Sequence, residues 1–533
     1  MQPLTGLPPA AYKCWVRSSI AVLVVPLIVA GALAVPSTRA AGRQVGPRAQ
    51  SQAAGGAEAA ALRAQGEAAM EASRFGDAEA AYQKLVGLTP SDAIAQMQLG
   101  MARAMGGRTV EAIPPLREAV RLRPDLLPAK LFLGISYLEV GRPKDAVAPL
   151  RQVVQADKDN VNARQALAEA LLALDQYGEA SVQLEALAAA QPASPQVWAA
   201  LGRSYEGIAR EAFARLQDLD PDSPYVWLLA ADVLTVEEKY PAAFSLIKKA
   251  QVALPTLPGL HHTLARVYTA SGHADWAAVE QKLAAQERPS CESVPVACAY
   301  LSGKLVDVIT RTATATQATA LYWRARAAND LAGNAFGTLE KLPPSVERYV
   351  VRAGIARDQG QPLEAAAQLR EALRLTPGDP GLERDLAGAL YAARDFEAAL
   401  PLLEKLHGLA PDAPDLLIAL GDTLLQAQQV DRAVTLLTKA VTIDPSVIQA
   451  HAVLGRALVQ AGEDARAVPH LEKALNTDPD GSVHYQLAQV MQRTGNPARA
   501  KVLLAEYQKR AQAAAPSAPA TQPETAVITP PVP

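Results

Sequence analysis

Small and apolar positions recur along this chain with a period far longer than that of a single helix or strand. Prolines fall at 90, 124, 192, 221 and 255, and again at 377, 411, 445 and 479, with most neighbouring intervals equal to 34 residues. Numbering each unit so that its proline is position 32 places glycine or alanine at position 8: Gly66, Gly100, Gly134, Ala168, Ala231, Ala265, Ala353, Ala387, Gly421, Gly455 and Ala488. Position 20 is alanine in all eleven of these units, from Ala78, Ala112 and Ala146 to Ala433, Ala467 and Ala500. Alanine is abundant here, but composition does not put it eleven times at one phase of a long repeat.

The pattern inside a unit predicts two antiparallel helices. Small residues at positions 8 and 20 sit where the helices cross, because only side chains of that size let backbones approach to about 8 Å. Leucine just before position 8, as at Leu99, Leu133, Leu167, Leu264, Leu386, Leu420 and Leu454, fills the space beside the contact. Glycine near position 15 (Gly141, Gly272, Gly360, Gly462, Gly495) ends the first helix, since glycine takes the left-handed conformation cheaply. Proline at position 32 stops the second helix and opens the next unit.

These units resemble tetratricopeptide repeats. The family pattern of Trp-x2-Leu-Gly-x2-Tyr is matched most fully at Trp198, Leu201, Gly202 and Tyr205, and in part by Tyr137, Trp227, Tyr268 and Tyr349. The resemblance covers residues 59 to 509 and implies an all-α, right-handed superhelical solenoid of antiparallel helix pairs, with about 11 full and 2 shortened repeats. In the shortened units Gly202 stands 19 residues before Pro221, where other units have 24, and Tyr322 to Pro343 is similarly compressed. Five helical residues span about 7.5 Å, so each such unit is expected to be one long or bent helix, or a hairpin with a clipped turn.

The chain therefore divides into residues 1–34, a signal peptide or N-terminal membrane anchor; 35–58, a flexible linker; 59–284, an N-terminal array; 285–345, an irregular insert with a cysteine pair, a shortened repeat and one extra helix at about 299–309; 346–510, a C-terminal array; and 511–533, a disordered Pro/Ala-rich tail. The N-terminal reading rests on Lys13 and Arg17 ahead of an uncharged run from Ile20 to Val35, with Ala32-Leu33-Ala34 as a small-x-small cleavage site. An uncleaved anchor remains the rival, as the run is only slightly short of a bilayer span. Either reading puts the bulk of the chain outside the cytoplasm, periplasmic or secreted. There an even pair of cysteines, Cys291 and Cys298, is expected to form a disulfide.

Composition narrows the function classes. Half the residues are hydrophobic but only 5% aromatic, which favours closely packed helices over a β-sandwich. A formal net charge of −3 leaves no footprint for a nucleic-acid partner. No phosphate loop, His-Glu-x-x-His, nucleophile elbow or dinucleotide fingerprint is present, so no enzyme, metal or cofactor is expected.

The family resemblance implies a concave face, at about unit positions 2, 5, 9 and 12, that binds a peptide or helix of an unidentified partner protein. Those positions hold Ile94, Met97, Met101, Met105, Leu131, Ile135 and Leu138 in the second and third units. Methionine suits a surface that accepts varied partners, and packing within the array is the competing explanation. Further along, the same face carries Arg266, Arg326, Arg357 and Arg384 among acidic residues, either a site for an acidic ligand or a solvated face of mixed charge. The expected function is a non-enzymatic protein interaction scaffold exported to the periplasm or envelope. The alternative is an envelope assembly component engaging polysaccharide or peptidoglycan through the arginine-containing half. The family's carboxylate clamp for chaperone tails is not matched, since Arg63 and Glu67 occupy two of its positions.

Overall fold

The structure is a computed structural model that describes residues 47–287, 289–514 and 528–531. Among the described residues the chain forms 26 α-helices and no strand. In chain order they are α1 (Pro47–Glu71), α2 (Phe75–Leu88), α3 (Ala93–Met105), α4 (Thr109–Leu122), α5 (Leu127–Glu139), α6 (Pro143–Ala156), α7 (Val161–Leu172), α8 (Tyr177–Ala190), α9 (Pro195–Leu219), α10 (Pro224–Val236), α11 (Tyr240–Ala253), α12 (Leu260–Ala270), α13 (Ala274–Gln286), α14 (Pro295–Leu301), α15 (Leu305–Arg311) and α16 (Ala318–Lys341). There follow α17 (Val346–Asp358), α18 (Pro362–Leu375), α19 (Pro380–Ala392), α20 (Phe396–Leu409), α21 (Pro414–Gln426), α22 (Val430–Ile443), α23 (Ile448–Gln460), α24 (Asp464–Ala474), α25 (Ser482–Arg493) and α26 (Pro497–Ala514). The protein is an all-α solenoid in which each helix packs chiefly on the helices next to it in sequence.

The repeat alignment has a direct physical reading. All eleven position-20 alanines are buried, none more than 3% exposed. Opposite them, a Cβ added at Gly100 would stand 2.5 Å from Leu116 Cγ and 3.2 Å from the Ala112 carbonyl oxygen. At Gly421 the equivalent clash is with Leu437 Cγ at 2.6 Å, and at Gly455 with Leu471 Cδ2 at 2.6 Å. Position 8 is thus small because the leucine sixteen residues later lies on it, with the alanine backbone beneath. The turn at position 15 is left-handed in every one of these units. Six use glycine there, including Gly141 at φ 74° and Gly272 at φ 82°, and five use Ser73, Asp175, Glu238, Arg394 and Gln428 at φ 55° to 61°.

The two shortened units are single helices. With no room for a turn, α9 runs unbroken for 25 residues and α16 for 24. Gly202 of α9 allows the Phe336 ring of α16 to lie on its backbone, and Gly207 does the same for the Tyr177 ring of α8. The spacing shared by these two units therefore builds a contact between them.

Two compact units result. One comprises the described residues up to Ala214 with Lys304–Leu339, the other Arg215–Gly303 with the described residues from Glu340 onward. This differs from a partition at 284/285 and 345/346, because the α9 to α16 packing pulls most of the expected insert into the first unit. A continuous core of alanine, leucine and valine runs through the second unit from Ala353 to Leu503.

Other differences concern the connecting segments. Residues 47–58, expected as linker, belong to α1, whose alanine-rich sequence carries high helix propensity. The single helix expected at about 299–309 is two helices, α14 and α15, separated where Gly303 takes φ 75°. Cys291 and Cys298 are joined as a disulfide. Of the tail expected to be disordered from residue 511, the described residues differ: 511–514 belong to α26, and Ile528–Pro531 lies against the second unit. The N-terminal signal or anchor segment lies outside the described residues, among which no helix is long and apolar enough to cross a membrane.

Candidate partner-binding face

The first helices of successive repeats contact one another directly, α3 with α5 and α5 with α7 in the first unit, α21 with α23 and α23 with α25 in the second. Their shared face is where the sequence places its candidate residues. Asp92 caps α3, accepting from the backbone N–H of Ile94 at 2.8 Å and of Ala95 at 3.3 Å, and it pairs with Arg63 of α1. The start of α3 is thereby fixed against the preceding repeat.

Along α3 and α5, Ile94, Met97, Met101, Met105, Leu131 and Ile135 are all half-buried, neither core nor fully in water. Leu138 is different: at 2% exposure it is part of the core and is removed from the candidate set. Position 12 of α5, one residue before the helix ends, turns inward between its neighbours. The apolar strip ends against acid. Glu169 of α7, half-buried near Glu139 of α5, is raised from the ordinary 4.5 to about 7, first by burial and then by the Glu139 charge. Glu139 itself accepts a hydrogen bond from the Thr109 hydroxyl at 2.6 Å.

The arginines of the second unit are paired. Arg266 meets Asp232 at 3.4 Å, Arg384 meets Asp415 at 3.3 Å, Arg357 meets Asp358 at 3.6 Å, and Arg456 bonds Asp422. Asp422 also accepts from the Tyr391 hydroxyl at 2.7 Å, so three successive first helices are laced together through one buried carboxylate. Asp385 is raised by burial, while the Arg357 and Arg384 guanidinium groups pull the other way. Arg326, in the first unit, is 3% exposed and donates to the Tyr322 hydroxyl at 2.8 Å. It is a buried side chain and does not present a surface charge, because α16 is buried all round from Leu321 to Ala328 and no longer follows the two-helix register.

Two models described as Tetratricopeptide repeat match residues 137–203, 390–457 and 424–484, and residues 63–126, 207–258 and 350–414, together more than half of the chain. The chain belongs to the tetratricopeptide repeat family. No curated protein matches it. Solved structures similar to it include MamA from Desulfovibrio magneticus, at 22% identity over 32% of this chain and 97% of that one with a TM-score of 0.28. Another is a thermophilic TPR protein of Thermus thermophilus, at 18% identity over 31% of this chain and 92% of that one with a TM-score of 0.27.

Within a tetratricopeptide frame, two of the charge pairs have a signal in the sequence. Position 9 faces position 9 of the next repeat, 34 residues on, and both Asp232 with Arg266 and Asp422 with Arg456 obey that spacing with opposite signs. The same register lines up Met101 with Ile135 and then Glu169. The hydroxyl of Tyr391 and the buried state of Arg326 had no such signal, since each depends on how neighbouring helices pack.

Proposed function

We propose that this tetratricopeptide repeat protein is a non-enzymatic interaction scaffold of the cell envelope whose α3 and α5 strip binds an apolar helix or extended segment of a partner protein. The observation that carries this reading is the set of six half-buried apolar side chains, Ile94, Met97, Met101, Met105, Leu131 and Ile135, on one shared face. Methionine adapts its shape to varied ligands at little cost, and half-burial leaves area for a partner to cover. Export is supported by the charged-then-apolar N-terminal pattern and by the Cys291–Cys298 disulfide, which persists in oxidising compartments. The alternative of glycan binding through arginine gains little support, because Arg266, Arg357 and Arg384 already face carboxylates.

The test is capture of partners by the full chain carrying Met97→Glu, Met101→Glu and Met105→Glu, beside a chain with Arg357→Glu and Arg384→Glu. A partner held by the native chain is expected to be lost at least tenfold from the methionine variant and retained by the arginine variant. Retention by a folded methionine variant refutes the strip as the binding face.

A further inference from the structure

The C-terminal segment of the chain returns to the second compact unit. The Tyr268 hydroxyl on α12 donates to the main-chain carbonyl of Thr529 at 2.7 Å, across 261 residues of sequence. Other tyrosines at this region of the repeat spend their hydroxyls differently. Tyr205 donates to Glu185 at 2.7 Å and Tyr391 to Asp422 at 2.7 Å, both side chains of the array itself. Tyr268 is 1% exposed and belongs to an aromatic cluster, with the Phe244 ring at 5.8 Å and the Trp276 edge at 5.7 Å, where His273 stacks on Trp276 at 4.3 Å.

The segment has the chemistry such a surface selects. Ile528 and Pro531 are half-buried while Thr529 and Pro530 between them are exposed. That alternation has a period of three, the repeat of a polyproline II helix, in which residues i and i+3 share a face. Pro530 and Pro531 fix their own φ, and Pro530 restricts Thr529 to extended backbone, so little conformational entropy remains to be lost on docking. Neither proline has an N–H to satisfy, and the exposed acceptor is the carbonyl ahead of Pro530. The Tyr268 phenol supplies the donor that carbonyl needs. Burial pushes the Tyr268 phenol up to about 12, with Glu280 adding to the shift, so the hydroxyl keeps its proton throughout the physiological range.

We propose that α12 and α13 form a recognition site for a short, extended, proline-containing peptide, and that the chain's own Ile528–Pro531 segment is its occupant, an intramolecular plug that a competing peptide must displace. The site lies in the second compact unit and stands independently of the α3 and α5 strip. Recognition runs through a main-chain carbonyl and two flanking side chains three residues apart. Position 529 is therefore tolerant of substitution, whereas positions 528 and 531 are not.

The test uses the full chain and a fluorescent octapeptide of the sequence of residues 526–533, followed by anisotropy. The native chain is expected to bind the peptide weakly, because its own tail competes. A chain carrying Ile528→Asp and Pro531→Asp leaves the site open and is expected to bind the peptide at least tenfold more tightly. Adding Tyr268→Phe to that variant is expected to weaken binding roughly 5- to 10-fold, as one hydrogen bond is lost while the ring stays. Thr529→Ala alone is expected to leave the native competition unchanged. Equal peptide binding by the native and tail-altered chains overturns the proposal, as does a tail-altered chain that binds no peptide or is indifferent to Tyr268→Phe. Sedimentation across a hundredfold range of concentration separates occupancy within one chain from exchange between chains, and tail-dependent dimers overturn the intramolecular plug. Circular dichroism of each variant confirms that the helices persist.

Discussion

Glu169 shows how a single residue couples the candidate face to pH. Half-buried near Glu139, its carboxyl is raised from the ordinary 4.5 to about 7. Between those values the folded protein holds a proton that the unfolded chain has released. Stability is therefore expected to fall as pH rises through that window, and the loss is complete above about 7. Glu169→Gln removes the titrating group while keeping its shape. Its denaturation midpoint is expected to lack the decline between pH 5 and 7.5 expected of the native chain, and parallel pH profiles for the two proteins contradict the assignment. The position was visible in the sequence as the register following Met101 and Ile135, but the shift was not, because it arises from the depth of α7 and the approach of Glu139.

At the scale of the helical hairpin, the turn between first and second helices imposes one backbone conformation on whatever residue stands there. Gln428, joining α21 to α22, adopts φ 61°, where Gly462 in the next repeat adopts φ 78° at the same position. A side chain in the left-handed region costs roughly 1–2 kcal/mol, partly offset by the greater freedom of glycine in the unfolded chain. Gln428→Gly is expected to stabilise the α21–α22 hairpin by about 0.5–1 kcal/mol, read as slower hydrogen exchange in both helices. Faster exchange there would show that the glutamine side chain contributes more than its backbone costs. Glycine at this position was legible in the sequence wherever it occurs. In the five repeats without it, only the structure shows that the turn takes the same left-handed conformation. The missing turns of α9 and α16 were legible as a shortfall in spacing, yet whether the chain bends, clips its turn or runs straight is settled by packing, here by the Phe336 ring against Gly202.

Within each compact unit the regular repeats pack chiefly on their sequence neighbours, so local changes are expected to stay local. Cys291 and Cys298 are seven residues apart and tie the segment ahead of α14 to that helix, a cross-link worth about 2–3 kcal/mol at most. Reduction is expected to raise hydrogen exchange in residues 287–301 while the helices from α17 to α26 keep their protection; a cooperative loss of helix throughout would mean that the loop organises the array. The sequence by itself determined the fold class, the phase of every regular repeat and the size limits at positions 8 and 20, because a helix crossing admits only glycine or alanine and the 34-residue period repeats that demand. Tertiary structure alone decided the rest. It assigned residues 304–339 to the first compact unit, withdrew Leu138 and Arg326 from the surface, brought the Tyr391 hydroxyl onto Asp422, and set Thr529 against Tyr268. Periodicity fixes what each helix must present to its immediate neighbours. Contacts between segments far apart in sequence, and the burial they bring, depend on packing that the 34-residue period does not specify.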